Sequence, residues 1–176
     1  MCLATFTLGC GEELVVGILD LIAADLRIPI PAAGGLLTAN AIGLAVGGPV
    51  LTALTIRLNR KTVLLGTLAV FGVATLLPLP TNNLPLFFLT RGIADAAQGL
   101  FIAAALATAT TIVPSDRTGR ALSAVISGFM VATAIGVPLG TLVGQALDWR
   151  GAFAGVLVLT LAISAAIAIA VPPGLG

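Results

Sequence analysis

The chain has 176 residues, of which 59% are hydrophobic and only 9% are charged. A soluble core of this size cannot bury so much apolar surface. Eight basic and seven acidic residues give a net charge of +1, which offers no electrostatic footprint for a nucleic acid. The composition, with a mean hydropathy of +1.17, therefore predicts an integral membrane protein and excludes a soluble domain, a disordered chain and a nucleic-acid-binding protein.

The chemistry-bearing residues argue against an enzyme. The chain has no histidine and only two cysteines, Cys2 and Cys10, which lie on an apolar run and are typical of packing residues. It contains no nucleophile and base pair, no metal cluster and no phosphate-binding loop. We therefore predict no enzymatic activity, no metal site and no cofactor.

Charges, prolines and asparagines divide the chain into six long apolar runs. A spanning helix needs about 20 mostly apolar residues, and each run is long enough. We therefore predict an all-α membrane protein in which residues 1–176 form a single domain of six transmembrane helices. The predicted spans cover residues 3–24, 32–56, 62–79, 86–112, 121–147 and 151–171.

The basic residues of the short loops predict the orientation in the membrane. The loops after the first, third and fifth spans carry Arg27 and Arg150. The loops after the second and fourth spans carry more: Arg57, Arg60, Lys61, Arg117 and Arg120. Because cytoplasmic loops are enriched in Lys and Arg, both termini are predicted to lie in the cytoplasm. Trp149 is then predicted at the outer interface, where an amphipathic ring is favourable.

Three acidic residues, Glu12, Glu13 and Asp20, fall within the first predicted span. A charge at the bilayer centre costs about 2.5–3.5 kcal/mol on insertion scales, so these acids must be neutral, paired or hydrated. At 100° per residue, Glu13 and Asp20 fall on nearly one face of a straight helix, and Glu12 points elsewhere. We interpret the group as a proton or substrate site facing a cavity; a structural ion pair or an interfacial position is the alternative.

The fourth predicted span carries a second charged group. Arg91 and Asp95 are four residues apart, so they share a helix face and can pair. They form either a self-neutralising pair or a switch, in which Asp95 competes with an acid of the first span for Arg91. Asn40 in the second span and Gln98 in the fourth are buried polar residues that serve either as interhelical hydrogen-bonding groups or as substrate contacts.

The fifth predicted span is rich in glycine. Gly136, Gly140 and Gly144 form a ridge of small residues that lets another backbone approach closely. Pro138 removes one helical hydrogen bond and is predicted to bend the span. We interpret this segment as a tight packing surface, with a bend that moves during transport as the alternative.

These features together resemble the N-terminal six-helix half of a major facilitator superfamily transporter, and are most similar to the bacterial drug:proton antiporter and sugar-efflux group. The resemblance runs from about Phe6 to Val171. Four stretches carry it: Leu8-Gly9-Cys10-Gly11-Glu12-Glu13 in the first span; the signature loop Arg57-Leu58-Asn59-Arg60-Lys61; Arg91 followed by Gln98-Gly99; and Gly136-Val137-Pro138-Leu139-Gly140 followed by Asp148-Trp149-Arg150.

The chain departs from the family pattern at a few positions. Ile56 occupies the place of the usual loop acid, and Val137 separates a glycine and a proline that are usually adjacent. Asn59 replaces a loop glycine, and asparagine tolerates the left-handed conformation. Asp20 stands where many relatives have proline.

The resemblance implies a proton-coupled exporter of small organic molecules in the cytoplasmic membrane, which works by alternating access. The fold it implies for this chain is half of the family's fold, a 3+3 inverted repeat. Glu12, Glu13 or Asp20 would carry the proton, Arg91 would tune it with Asp95, and Asn40 and Gln98 would contact substrate. Since family members have two six-helix halves around one site, we predict a parallel homodimer. A heterodimer with another six-helix chain and a non-transporting regulatory or assembly subunit are the alternatives.

Overall fold

The computed structural model describes residues 2–25, 29–81 and 83–170, and all the regular structure in these ranges is helical. The α-helices are α1 (Cys2–Gly17), α2 (Leu19–Asp25), α3 (Ile30–Ile42), α4 (Gly48–Thr55), α5 (Arg60–Leu76), α6 (Leu84–Ile112) and α7 (Thr118–Ala170). A π-helical turn, Gly43–Gly47, joins α3 to α4, and a short 3₁₀ helix, Ser115–Arg117, precedes α7. Arg27, Asn82 and Val171, which belong to predicted loops and to the end of the sixth span, lie outside the described residues.

The lengths of these helices suit a membrane. Within the described residues, three continuous stretches are long and apolar enough to cross one: Leu37–Thr55, Leu84–Thr111 and Ser115–Ile169. The bent pair of α1 and α2 is a fourth if it is taken as one span. The third stretch has 55 residues, enough for two crossings of about 20 residues each. Helix α5 has 17 residues and is about 25 Å long, at the short end of the spanning range.

The long helix α7 is interrupted at Asp148. This residue has φ 68° and ψ 161°, a backbone conformation that is nearly confined to glycine. Its carboxylate Oδ1 accepts a hydrogen bond from the Trp149 backbone N–H at 2.7 Å, which stabilises the turn locally. Helix α7 therefore consists of two helical parts, one before and one after Asp148.

Pro138 does not mark this interruption. Because proline removes a backbone donor, the sequence predicts a bend at Pro138. The backbone angles remain helical there, and within α7 only Asp148 departs from them. The missing helical bond is tolerated, and the chain changes direction ten residues later.

The first part of α7 packs along α1 through the predicted glycine ridge. Gly136 and Gly140 face α1, Gly144 faces Ile18 at the break after α1, and all three contacts are too close to admit a side chain without a shift. A Cβ added at these positions would lie 2.9, 3.1 and 2.5 Å from the nearest atoms of Glu13, Leu14 and Ile18, respectively. Without a hydrophobic force between helices in lipid, such close van der Waals contact stabilises the helix pair.

We expect Gly17→Ala to lower the free energy of unfolding by about 1–3 kcal/mol, the usual cost of overpacking. A Cβ at Gly17 would lie 2.7 Å from the backbone oxygen of Val137, which cannot move aside easily. Thr141 Oγ1 also donates a hydrogen bond to the Gly17 carbonyl at 3.0 Å, which the shift would stretch. Denaturant titration in mild detergent measures the change.

Gly66→Ala is the matched control for that substitution. Gly66 lies in α5 and has no atom within 4 Å of an added Cβ. Since alanine is more favourable than glycine inside a helix by up to about 1 kcal/mol, Gly66→Ala should leave the free energy of unfolding unchanged or raise it. Equal effects of the two substitutions would contradict the close packing of α1 and α7.

Candidate functional site

A line of polar side chains runs along the buried face of α6. Arg91, Asp95 and Gln98 share this face and have exposed fractions of 2%, 0% and 0%. Arg91 Nη2 donates to Asp95 Oδ1 at 2.9 Å, the pair that the spacing of four residues predicts. Because removing charges from water is costly, a buried ion pair stabilises a fold only where good geometry and further hydrogen bonds compensate for the lost hydration.

Glu12 joins this line from α1. Its carboxylate Oε2 accepts a hydrogen bond from Gln98 Nε2 at 2.6 Å. Gln98 is the middle residue of the 29-residue α6, about 21 Å from either end and therefore near the centre of the membrane. The Glu12 carboxylate also interacts electrostatically with Arg91 and with Asp95. We call these four residues, Glu12, Arg91, Asp95 and Gln98, the central cluster.

The central cluster has unused hydrogen-bonding capacity. Three buried atoms in it lack a partner among the described residues: Arg91 Nη1, Asp95 Oδ2 and Gln98 Oε1. Leaving a buried donor or acceptor unpaired costs about 1–3 kcal/mol, and more for a charged group. One donor and two acceptors are therefore available to a polar molecule that enters the cluster.

The other two acids of the first span do not join the central cluster. Glu13 lies at the α1–α7 contact, opposite Gly136. Asp20 is exposed on α2. The prediction that Glu13 and Asp20 share a face applies to a straight helix, whereas α1 and α2 are bent by 60° at the break between them. Within the described residues, no group of three Cys, Asp or Glu side chains is arranged to hold a metal ion.

Asn40 lies close to the central cluster without bonding to it. It is buried in α3, one turn before Gly43 and on the same face. A Cβ at Gly43 would lie 3.2 Å from Asp95 Cβ, so this face packs against α6 beside Asp95. Asn40 is therefore positioned beside the central cluster, at the contact between α3 and α6.

Three aromatic rings pack on the side of Arg91 toward the start of α6. Phe87, Trp149 and Phe153 form a mutual edge-to-face triad, with ring centroids 5.7 to 6.1 Å apart. The Arg91 guanidinium lies 5.9 Å from the Phe153 ring centroid, so the triad covers one side of the central cluster. The prediction of an interfacial Trp149 is wrong in one respect, since its exposed fraction is 0% and its ring packs inside the bundle.

Beyond the triad, hydrogen bonds and an ion pair connect the end of α2, the middle of α7 and the residues after α5. Trp149 Nε1 donates to Asp25 Oδ2 at 2.9 Å, and Arg150 Nη1 forms an ion pair with the same oxygen at 2.8 Å. Arg150 Nε also donates to the Leu79 carbonyl, just after α5. The Asp148-Trp149-Arg150 motif is visible in the sequence, but its partner Asp25 is 124 residues from Trp149. The sequence offers no signal for that distant pairing.

The Asp25 contacts predict a pH dependence of stability. The indole hydrogen bond of Trp149, and next the Arg150 guanidinium, hold the pKa of the Asp25 carboxyl below its usual value. The stabilisation is therefore complete above the unfolded pKa of about 3.9 and is lost as the pH falls through the folded pKa. We expect the wild-type melting temperature to fall more steeply on acidification than that of Asp25→Asn. Thermal unfolding in detergent between about pH 7 and about pH 3 measures it.

Asp116→Asn is the control for this pH dependence. The Asp116 carboxylate is 73% exposed and lies 3.8 Å from Arg117, without a closer partner. Asp116→Asn should therefore leave the fall of the melting temperature on acidification the same as in the wild type. A slope that is the same in Asp25→Asn as in Asp116→Asn would contradict a stabilising Asp25 carboxylate.

The basic loop at the opposite end caps helices. Asn59, which replaces the loop glycine, has φ −59° and ψ 131°, and its side chain accepts a hydrogen bond from Lys61 N at 2.9 Å at the start of α5. Arg60 Nη1 donates to the Ala107 carbonyl at 3.0 Å, and Lys61 Nζ to the Ala168 carbonyl at 2.7 Å. These cations bind the C-terminal parts of α6 and α7, where the helix dipole favours positive charge.

Comparison with known proteins places the chain in a family. The model of the Major Facilitator Superfamily matches residues 1–174. The chain is 37% identical over 174 residues to a chloramphenicol resistance protein of Streptomyces lividans, covering 99% of this chain and 44% of that protein. It is 36% identical over 153 residues to YtbD, an MFS-type transporter of Bacillus subtilis, covering 87% of this chain and 39% of that protein.

A third relative is the inner membrane transport protein YdhP of Escherichia coli, 29% identical over 153 residues, which cover 87% of this chain and 39% of that protein. The chain thus spans less than half the length of each of these relatives. The family consists of membrane carriers, not enzymes. Because the family model matches residues 1–174 and two relatives are 37% and 36% identical, the chain belongs to the Major Facilitator Superfamily.

Proposed function

We propose that this six-helix unit forms half of the transport cavity of a proton-coupled exporter of small organic molecules in the cytoplasmic membrane. The observation that carries the proposal is the central cluster, where Glu12 accepts a hydrogen bond from Gln98 at 2.6 Å beside the buried Arg91–Asp95 ion pair. Buried ionisable groups at the middle of membrane helices are rare and mark ion and substrate pathways.

In this proposal Glu12 carries the proton, and Gln98 accommodates both of its states. The ionised carboxylate accepts the Gln98 Nε2–H. Protonated Glu12 becomes a donor, and a flip of the amide presents Gln98 Oε1, which is otherwise unpaired, as its acceptor. The flip points Nε2 away from Glu12, so the protonation of Glu12 alters the groups that a substrate meets.

The unpaired atoms of the central cluster suggest the substrate class. A molecule that carries hydroxyl or amide groups can accept from Arg91 Nη1 and donate to Asp95 Oδ2 or Gln98 Oε1. A similar protein is a chloramphenicol resistance protein, so chloramphenicol is the natural first probe. Glu13, Asp20 and Asn40 remain candidates for the cavity surface around this site.

The experiment is chloramphenicol transport in proteoliposomes with an imposed pH gradient. We expect the drug to move against its concentration gradient when protons flow in the opposite direction, and an ionophore that collapses the pH difference should abolish this movement. No drug movement under any gradient would contradict the proposal and favour a non-transporting regulatory subunit. The exposed Ile56, which stands in place of the usual loop acid, also supports that alternative.

We further propose that a second six-helix unit completes the cavity. Relatives match this chain over only 39–44% of their own length, and the family builds its site between two halves related by an axis normal to the membrane. For the 176-residue chain expressed alone, we expect a parallel homodimer with both termini cytoplasmic. Native mass spectrometry of protein released from nanodiscs should show the dimer; a monomer would contradict self-pairing and favour a separate partner chain.

A further inference from the structure

Helices α4 and α5 leave an opening between them. Both pack on α6, but they make little contact with each other. Two adjoining cavities fill this opening, and they share Thr55, Leu58, Val63 and Leu100 in their walls. One cavity, of about 470 Å³, opens at the basic loop and contains Arg57 and Arg60. The other, of about 570 Å³, runs deeper beside α5.

The deeper cavity, here called the apolar groove, has the length of one lipid leaflet. Its walls are apolar side chains, small residues and threonines, and it follows α5 from Thr62 past Gly66 to Val70. The Thr55 and Thr67 hydroxyls donate to carbonyls of their own helices. From the start of α5 to Val70 is ten residues, about 15 Å, which is half of a hydrocarbon core of about 30 Å.

The outer cavity, here called the basic mouth, is suited to an anionic group. Arg57 is exposed and has no ion pair or hydrogen bond within the described chain, whereas Arg60 is held by the Ala107 carbonyl. Ile56 and Leu58, on either side of Arg57, are 80% and 52% exposed, so this arginine stands among apolar side chains at the membrane surface.

The charge balance at this end of the bundle supports an anion. Among its described residues only Asp116 is acidic, and it lies 3.8 Å from Arg117. The basic residues are Arg57, Arg60, Lys61, Arg117 and Arg120. Clusters of this kind at membrane helix ends attract anionic lipid, at about 1 kcal/mol per basic residue.

We propose that the basic mouth and the apolar groove together bind one anionic phospholipid. The headgroup phosphate pairs with Arg57 at the mouth, and one acyl chain lies in the groove along α5. The requirement for both parts distinguishes this site from general contact with the surrounding bilayer. The inference is independent of the proposed transport function.

Native mass spectrometry of the detergent-purified chain, titrated with phosphatidylglycerol or with phosphatidylcholine of the same acyl length, tests the headgroup. The wild type should retain phosphatidylglycerol preferentially. Arg57→Gln should weaken its binding about fivefold, the equivalent of one basic residue, and Arg57→Lys should retain it. Arg120→Gln is the control, since Arg120 is exposed at the same end and lines neither cavity.

A pair of glycine substitutions tests the groove. Gly66 and Gly155 both have open space where a Cβ would be, but only Gly66 lines the groove. Gly66→Leu should therefore reduce the binding of phosphatidylglycerol, while Gly155→Leu leaves it unchanged and the two variants melt alike.

Three results would overturn the proposal. The first is equal loss of phosphatidylglycerol in Arg57→Gln and Arg120→Gln, which would mean diffuse attraction. The second is full binding in Gly66→Leu. The third is displacement of the lipid by inorganic phosphate, which would mean an anion site without an acyl-chain groove.

Discussion

Replacing Asp95 with alanine should lower the free energy of unfolding by about 3–5 kcal/mol, the cost of leaving a buried charge uncompensated. Arg91 is 2% exposed, and Asp95 is the carboxylate that pairs with it, at 2.9 Å. The Phe153 ring, 5.9 Å away, cannot replace that partner. Denaturant titration in detergent, with helicity as the signal, measures the change.

The double variant Arg91→Leu with Asp95→Leu separates the lost pair from lost packing. Removing both charges leaves no isolated ion, and apolar replacements of buried pairs are often neutral or stabilising by about 1–4 kcal/mol. We therefore expect the double variant to be at least as stable as the wild type. An Asp95→Ala protein within about 1 kcal/mol of the wild type would show that Arg91 has another partner or is hydrated.

Glu12→Gln should abolish transport that is driven by a pH gradient while leaving exchange of substrate without a gradient. The new amide can keep a hydrogen bond to Gln98, since it presents both a donor and an acceptor, so the contact at 2.6 Å and the fold are preserved. What the substitution removes is the ionisable proton. Parallel assays of driven transport and of exchange in proteoliposomes measure the two functions.

Asp20→Asn is the matched control for Glu12→Gln. Asp20 is an acid of the same predicted span, but it is exposed on α2, beyond the 60° bend. Driven transport should survive this change. Loss in Asp20→Asn with retention in Glu12→Gln would move the proton site out of the central cluster.

The sequence predicts much of the local structure because local rules determine it. Charges, prolines and asparagines separate the apolar runs, and the helices of the described chain occupy those runs. The spacing of Arg91 and Asp95 is enough to predict their pair, since one helical turn brings them together. The glycines at 136, 140 and 144 predict a close contact for the same reason, although not that α1 makes it.

The features that the sequence does not predict depend on which helices become neighbours. Glu12 and Gln98 are 86 residues apart, and Asp25 and Trp149 are 124 apart, so only the tertiary fold joins them. The burial of Trp149 follows from that second contact, which holds the indole N–H inside the bundle. The bend between α1 and α2 contains no proline, and it changes the direction of the helix between Glu13 and Asp20.

Infrared difference spectroscopy between two pH values tests most directly whether Glu12 is a proton carrier. Protein in lipid should show a protonated carboxyl C=O band that titrates within the pH range of transport, and Glu12→Gln should lose that band while Asp20→Asn retains it. We expect chloramphenicol binding to shift this titration in the wild type. A spectrum in which the same carboxyl bands titrate in the wild type and in Glu12→Gln would contradict it.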